Sequence, residues 1–290
     1  MKKLLLLTLF LFTVTCANAA PNKKEKKYHN KHHIVKKYKK KNYAAKQRYR
    51  GGIQTNPNVM LMNVTDNHII ENTLPEHRGS IASISKLMTV YTVISAKQEM
   101  NEIIPVVSTL SNHTRLSKGM QVSRKDLIML ALIHSDNLAA KTLADNYIGG
   151  YDAFIHAMNK NAKELLMDNT MFYDPTGLHA GNVSSTKDII FLTNAVSQFS
   201  IVREAAQSED YKVKVTKGKK TFTIIAKPTI NFFGKEGVIT LKTGFTNAAG
   251  FCITMLVNKK DKLYNIVILG ARSSQERKFL IERSLKSIQI

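Results

Sequence analysis

Ser83-Ile84-Ser85-Lys86 puts a hydroxyl and an amine three residues apart. On a helix this spacing brings both side chains to one face, one turn apart, where a serine nucleophile and a lysine can work together. The S-x-x-K pattern is weak alone and recurs at Ser184 to Lys187. Two further triplets give it meaning: Ser135-Asp136-Asn137 follows an apolar helical stretch, and the rarer Lys242-Thr243-Gly244 stands at the end of a strand-like run. Their order and context are those of a serine acyl-transfer site: S-x-x-K opening a buried helix, S-x-N after a helix, K-T-G ending a strand.

The elements that position these residues follow from periodicity. Asn58 to Thr65 and His68 to Thr73 are short apolar runs around Asp66-Asn67, a hairpin signal, followed by a loop from Pro75 to Ser80. From Ser83 onward Ile84, Leu87, Met88, Val90, Tyr91, Val93 and Ile94 are apolar on nearly every side, as in a helix at the centre of a domain. Ser123 to Asp126 and Ser185 to Asp188 read as capping boxes, the first opening a helix to about His134 and the second a helix to about Ser197. Leu138 to Tyr147 and Asp152 to Leu166 are helical, and Pro175-Thr176-Gly177 is a turn. Strands are expected at Tyr211 to Thr216, Thr221 to Ala226, Gly237 to Thr243, Phe251 to Val257 and Leu263 to Gly270, before a last helix from Gln275 to Ser287. This order predicts a mixed α/β fold: one antiparallel sheet from both chain ends, covered by helices, with an all-helical region between.

Several residues have plainer readings. Ser135, Asp136 and Asn137 fit a helix stop and N-cap, a role that can coexist with catalysis, and Asp136 is taken as structural. Ser184-x-x-Lys187 overlaps a capping box and is set aside. His134 and His179 read as packing or surface residues, and Cys252 as a buried, inert thiol. There is no G-x-S-x-G elbow and no H-E-x-x-H zinc helix. No metal site and no cofactor are expected.

The 290 residues carry 43 basic and 21 acidic side chains, unevenly spread. Residues 20–50 hold thirteen Lys or Arg and one acid, so residues 51–290 are only +8. Met1 to Ala19, with Lys2-Lys3, an apolar run and Ala17-Asn18-Ala19, reads as a secretory signal cleaved after Ala19, too short to span a bilayer. Cys16 follows Thr15, a poor lipid-attachment context. Cleavage removes Cys16 and leaves Cys252 alone, without an internal disulfide. Residues 20–50 alternate lysines with Tyr28, Tyr38, Tyr43 and Tyr49, a composition that cannot bury enough surface to fold and reads as a disordered arm. For an exported protein its partner is expected to be an anionic envelope polymer or membrane surface rather than nucleic acid; a plain spacer is the alternative. His29, His32 and His33 fit no standard metal spacing. Residues 51–290 form the expected catalytic domain.

The three motifs and their flanks, Ser80 to Thr89, Tyr173 to Leu178 and Leu241 to Gly250, resemble the low-molecular-mass penicillin-binding serine D,D-peptidases over residues 55–290. The resemblance implies the serine β-lactamase/penicillin-binding transpeptidase-like fold, peptidoglycan peptide stems as substrate, covalent inhibition by β-lactams and a periplasmic location. Ser83 is then the nucleophile. With no histidine in the motifs, its base is neutral Lys86, whose pKa has to be lowered by burial and by a second cation, Lys242. The resemblance further implies that Ser135 relays a proton to the leaving amine, that Asn137 holds the substrate amide, and that Lys242 and Thr243 bind a carboxylate on the leaving side. Gly244 leaves room for the substrate backbone, and the backbone N–H groups of Ser83 and Phe245 form the oxyanion hole. The chain continues about 46 residues past Gly244, as in short D-alanyl-D-alanine endopeptidases; a carboxypeptidase is the alternative. A serine β-lactamase would need a water-positioning glutamate, for which Glu164 is the nearest candidate and reads as solvent-facing. A non-catalytic envelope-binding protein is the remaining alternative.

Overall fold

Val59 to Met62, Cys252 to Val257 and Ile266 to Leu269 are buried at every position, and burial without alternation identifies strands covered on both faces. The computed structural model describes residues 56–288 apart from 233, 234 and 236. The expected signal segment 1–19 and basic arm 20–50 lie outside the described residues.

In chain order the strands are β1 (Asn58–Asn63), β2 (His68–Asn72), β3 (Gly79–Ser80), β4 (Ile103–Pro105), β5 (Met120–Ser123), β6 (Val183–Ser184), β7 (Tyr211–Lys217), β8 (Lys220–Ala226), β9 (Val238–Thr246), β10 (Gly250–Lys259) and β11 (Lys262–Ala271). The main sheet has the order β2-β1-β11-β10-β9 and is antiparallel throughout. It joins the two ends of the described chain, with Val59 opposite Ile268. The helices Thr186–Val196 and Ser274–Ser287 pack against it. The antiparallel sheet from both ends, covered by helices, is thus present as expected.

The β7–β8 hairpin departs from that expectation. It pairs with β4 and β5 in a second sheet of order β4-β5-β7-β8. Strands of three and four residues are too short to show an alternating pattern, so β4 and β5 leave no signal in the sequence. The helix Ser200–Gln207, which packs on β9, was likewise not anticipated.

A 3-10 turn, Ala82–Ile84, leads into the helix Ser85–Ser95. Eight of its residues are buried, because it packs against the helices Asn137–Asp145, Gly150–Glu164 and Thr186–Val196. Both serine caps form: Ser123 Oγ accepts from the Asp126 amide at 3.0 Å and Ser185 Oγ from the Asp188 amide at 3.1 Å. The helix Arg124–Met129 widens into a π-helical turn, Leu130–His134, and stops at Ser135 in the left-handed region, φ 58°. Cys252 is fully buried and its thiol is pushed up to about 11 by desolvation. Glu164 faces solvent beside Lys160.

Candidate active site

The three motifs converge. Lys86 Nζ lies 2.8 Å from Ser83 Oγ, 2.7 Å from Asn137 Oδ1 and 2.7 Å from the Thr176 carbonyl oxygen. Lys86 is fully buried, and desolvation lowers its pKa to about 7 against the opposing pull of Asp136 and Asp174. A neutral amine fits these partners: its two N–H bonds reach Asn137 and Thr176, and its lone pair faces the Ser83 hydroxyl. The contact is a consequence of helical geometry, since Ser83 and Lys86 are one turn apart at the start of a buried helix.

On the other side Lys242 Nζ donates to Ser135 Oγ at 2.9 Å and to the Thr243 carbonyl at 2.9 Å. Burial first, then Lys86 and Arg277, hold the Lys242 ammonium well below its usual pKa. Lys86 thus depresses Lys242, whereas the lowering of Lys86 itself comes from burial and not from the second cation expected from the sequence. The hydroxyl of Thr243 is 2.7 Å from that of Thr229.

Asp136 is the structural centre of the S-x-N turn. It is fully buried. It caps the helix Asn137–Asp145 through the Ala139 amide at 2.8 Å and also accepts from Thr114 Oγ1 at 2.9 Å and the Arg115 amide at 2.6 Å. These bonds fix Ser135 and Asn137 on either side of it. The Asn137 side chain is already engaged, its oxygen by Lys86 and its amide by the Asn112 carbonyl at 2.8 Å. Its first task is thus to hold Lys86, with one N–H left for a substrate amide. His134, expected to be a packing residue, stacks on His113 with ring centroids 4.9 Å apart.

Gly244 has a second reason beside the one read in the sequence. A Cβ there would stand 2.8 Å from the Ser83 amide nitrogen and 3.1 Å from the Ile81 carbonyl oxygen, so the residue that needs the space is the nucleophile's own turn. Gly177 is pressed on the same turn from the other side: at φ +87°, its Cβ would overlap the Ala82 carbonyl. Ala82 itself has φ 48°, a costly conformation for a residue with a side chain. Held between Gly177 and Gly244, the Ser83 amide is fixed next to β9, an edge strand of the main sheet among the described residues, and an edge strand is where an extended substrate can pair. Phe245 is half exposed, with its ring 4.3 Å from that of Phe251.

Four further residues, none of them assigned a role from the sequence, shape the site. Asp174 accepts from the amides of Thr176 (2.5 Å) and Gly177 (2.6 Å) and so shapes the turn that presents the Thr176 carbonyl to Lys86. Asn182, fully buried, links that turn to the nucleophile helix through Asp174 O at 2.8 Å and Ser85 Oγ at 2.9 Å. Thr229 meets Thr243. Arg277, on the last helix, donates to the Cys252 carbonyl at 3.3 Å, and its buried Nε has no protein partner. The turn at Pro175-Thr176-Gly177 is legible in the sequence as a turn; its target is not. Ser184 and Lys187 take structural partners, Thr170 and Glu76.

This arrangement is that of an acyl-transferring serine peptidase with two buried lysines. The fold is shared with the Streptomyces K15 DD-transpeptidase (TM-score 0.73, 20% identity, 83% of this chain and 98% of that one). It is also shared with penicillin-binding protein D2 of Listeria monocytogenes in its ampicillin-bound form (TM-score 0.68, 26% identity, 83% and 98%). Residues 41–273 match the peptidase S11 family, D-alanyl-D-alanine carboxypeptidase, and the chain belongs to that family of serine peptidases. Among similar proteins are the D-alanyl-D-alanine endopeptidases of Escherichia coli K12 (36% identity, 73% of this chain and 70% of the relative) and Pseudomonas aeruginosa (34%, 72% and 70%). A D-alanyl-D-alanine carboxypeptidase of Bacillus subtilis is 28% identical over 75% of this chain and 58% of its own.

Proposed function

We propose that the protein is a D-alanyl-D-alanine endopeptidase that cleaves peptide cross-links in peptidoglycan through an acyl-enzyme on Ser83. The observation that carries this reading is the buried Lys86 amine 2.8 Å from the Ser83 hydroxyl. Ser83 Oγ attacks the D-Ala carbonyl and its proton passes to Lys86; the amides of Ser83 and Phe245 receive the oxyanion. The C–N bond then breaks as the Ser135 hydroxyl, backed by Lys242, relays to the departing amine the proton that Lys86 took from Ser83, which leaves Ser135 a hydroxyl and Lys86 neutral again. Water, deprotonated by Lys86, hydrolyses the ester and frees Ser83. Lys242 and Thr243, with Arg277 close by, bind the carboxylate of the leaving side, and that anion raises the depressed pKa of Lys242 as it arrives. Asn137 orients Lys86 and the substrate amide. The identity to endopeptidases of two other bacteria favours a cross-link over a terminal D-Ala; the carboxypeptidase reading is supported by the B. subtilis relative.

The same chemistry makes Ser83 the site of acylation by β-lactams. A fluorescent penicillin tests it: wild type becomes labelled and Ser83→Ala does not, whereas equal labelling removes Ser83 from the mechanism. Residues 1–19 direct export to the periplasm, where cleavage of cross-links contributes to cell shape. The arm 20–50, with thirteen cations, holds the enzyme on an anionic envelope polymer. Its deletion then weakens pelleting with isolated envelopes in a salt-dependent way, and unchanged pelleting makes it a spacer.

A further inference from the structure

Between Tyr211 and Ala226 the chain carries Lys212, Lys214, Lys217, Lys219 and Lys220 and no acidic residue. All five are exposed, and among the described residues none of them forms an ion pair. The register sets Lys217 directly opposite Lys220, a like-charge pair that works against the hairpin. Lys212 and Lys214 leave the same face of β7 about 7 Å apart, opposite Ile225 and Thr223. Lysines commonly protect an exposed sheet edge from pairing with another chain. That accounts for Lys220 on β8, the edge strand; on β7, β5 pairs only with Val215 to Lys217, and Lys212 and Lys214 stand beyond it on the face opposite the buried Val213 and Val215.

The hairpin is continuous with the active site. Just past the end of β8, the Lys227 carbonyl lies 3.3 Å from Nδ1 of His134, the residue before Ser135. Two residues further on, Thr229 meets Thr243. A seven-residue hairpin extends about 20 Å from this base, and at its tip Lys217 reaches Ser117 Oγ at 3.0 Å.

We propose that the solvent face and tip of the β7–β8 hairpin are a docking surface for the peptidoglycan strand being cleaved, with the lysines pairing with free carboxylates of peptide stems next to the one in the cleft. The inference rests on the reading of the protein as a peptidoglycan peptidase and adds where the polymer lies. Charge complementarity selects a polyanion, and continuity with the cleft selects the polymer whose stem occupies it. Each exposed lysine contributes little, but a polymer engages several together. A small soluble fragment does not reach them.

The test uses the full chain carrying Lys212→Gln, Lys214→Gln, Lys219→Gln and Lys220→Gln together, beside a version with Arg at the same four positions. Cleavage of soluble cross-linked dimers should stay within about twofold of wild type in both, because no altered residue touches the cleft. On intact isolated peptidoglycan sacculi at low salt, the Gln version should cleave and pellet at least about fivefold less well and lose much of its salt dependence, while the Arg version matches wild type. Equal action of the Gln version and wild type on sacculi overturns the proposal, as does an Arg version that fails like the Gln one. Anionic phospholipid vesicles form the second arm: loss of vesicle binding with unchanged action on sacculi assigns the hairpin to a lipid surface and also overturns it. If the wild type leaves soluble dimers uncut, the peptidase reading has failed, and pelleting with sacculi still reads the docking surface by itself.

Discussion

The Cβ that Gly244 lacks would lie 2.8 Å from the amide nitrogen of Ser83, so the third motif holds the first by backbone contact. Gly244→Ala has to part β9 from the Ala82–Ser83 turn by a few tenths of an ångström, because the opposing atoms are backbone. Acylation by a penicillin should then slow at least about tenfold through a displaced Ser83 amide, with a stability loss of only about 1–3 kcal/mol. Stopped-flow acylation and thermal unfolding of the same variant check this; normal acylation would show that the contact does not set the nucleophile.

Lys86 gives the reaction its pH dependence. With its pKa lowered to about 7 by burial, acylation of Ser83 should rise with pH through an ionisation near 7 and then level off until another group titrates. Lys86→Arg, which keeps the charge but cannot serve as a base at neutral pH, should acylate at least about a hundredfold more slowly. The folded pKa lies below the unfolded value of 10.5, so between the two the unfolded chain binds more protons. This group's contribution therefore disfavours the fold below about pH 7, and the penalty is relieved as pH rises towards 10.5. An acylation profile flat from pH 5 to 9 would contradict the assignment of Lys86 as base.

Asp136 affects both stability and this ionisation. Its negative charge raises the Lys86 pKa against desolvation, so Asp136→Asn should move the rising limb of the acylation profile to lower pH. Asp136→Ala also removes the N-cap and the acceptor of the Arg115 amide, for a combined loss of about 1–3 kcal/mol. Chemical denaturation measures the second effect and the pH profile the first; an unmoved limb in Asp136→Asn would limit Asp136 to a cap.

Much of this was readable because it is local. The spacing of Ser83 and Lys86, the caps at Ser123 and Ser185, and the continuously apolar strands each state their geometry within a few residues. What the sequence could not state is which distant groups meet. Asn182 and Arg277 lie in no motif, and their partners are up to 97 residues away for Asn182. The Thr176 carbonyl, a main-chain atom, bears no trace in residue type. Gly244 reads as room for substrate, and a glycine announces an absent side chain without saying that the Ser83 turn also needs the space. The second sheet escaped for the opposite reason: the β7–β8 hairpin is plain, but β4 and β5, which decide its place, are too short to show a period.

Digestion of purified peptidoglycan fragments, followed by mass spectrometry, tests the central claim most directly. Supplied with cross-linked dimeric muropeptides and monomeric pentapeptides together, the wild type should convert dimers to monomers faster than it releases D-Ala from pentapeptides, and Ser83→Ala should do neither. Release of D-Ala with the dimers left intact would contradict the endopeptidase assignment and make the protein a carboxypeptidase working through the same serine.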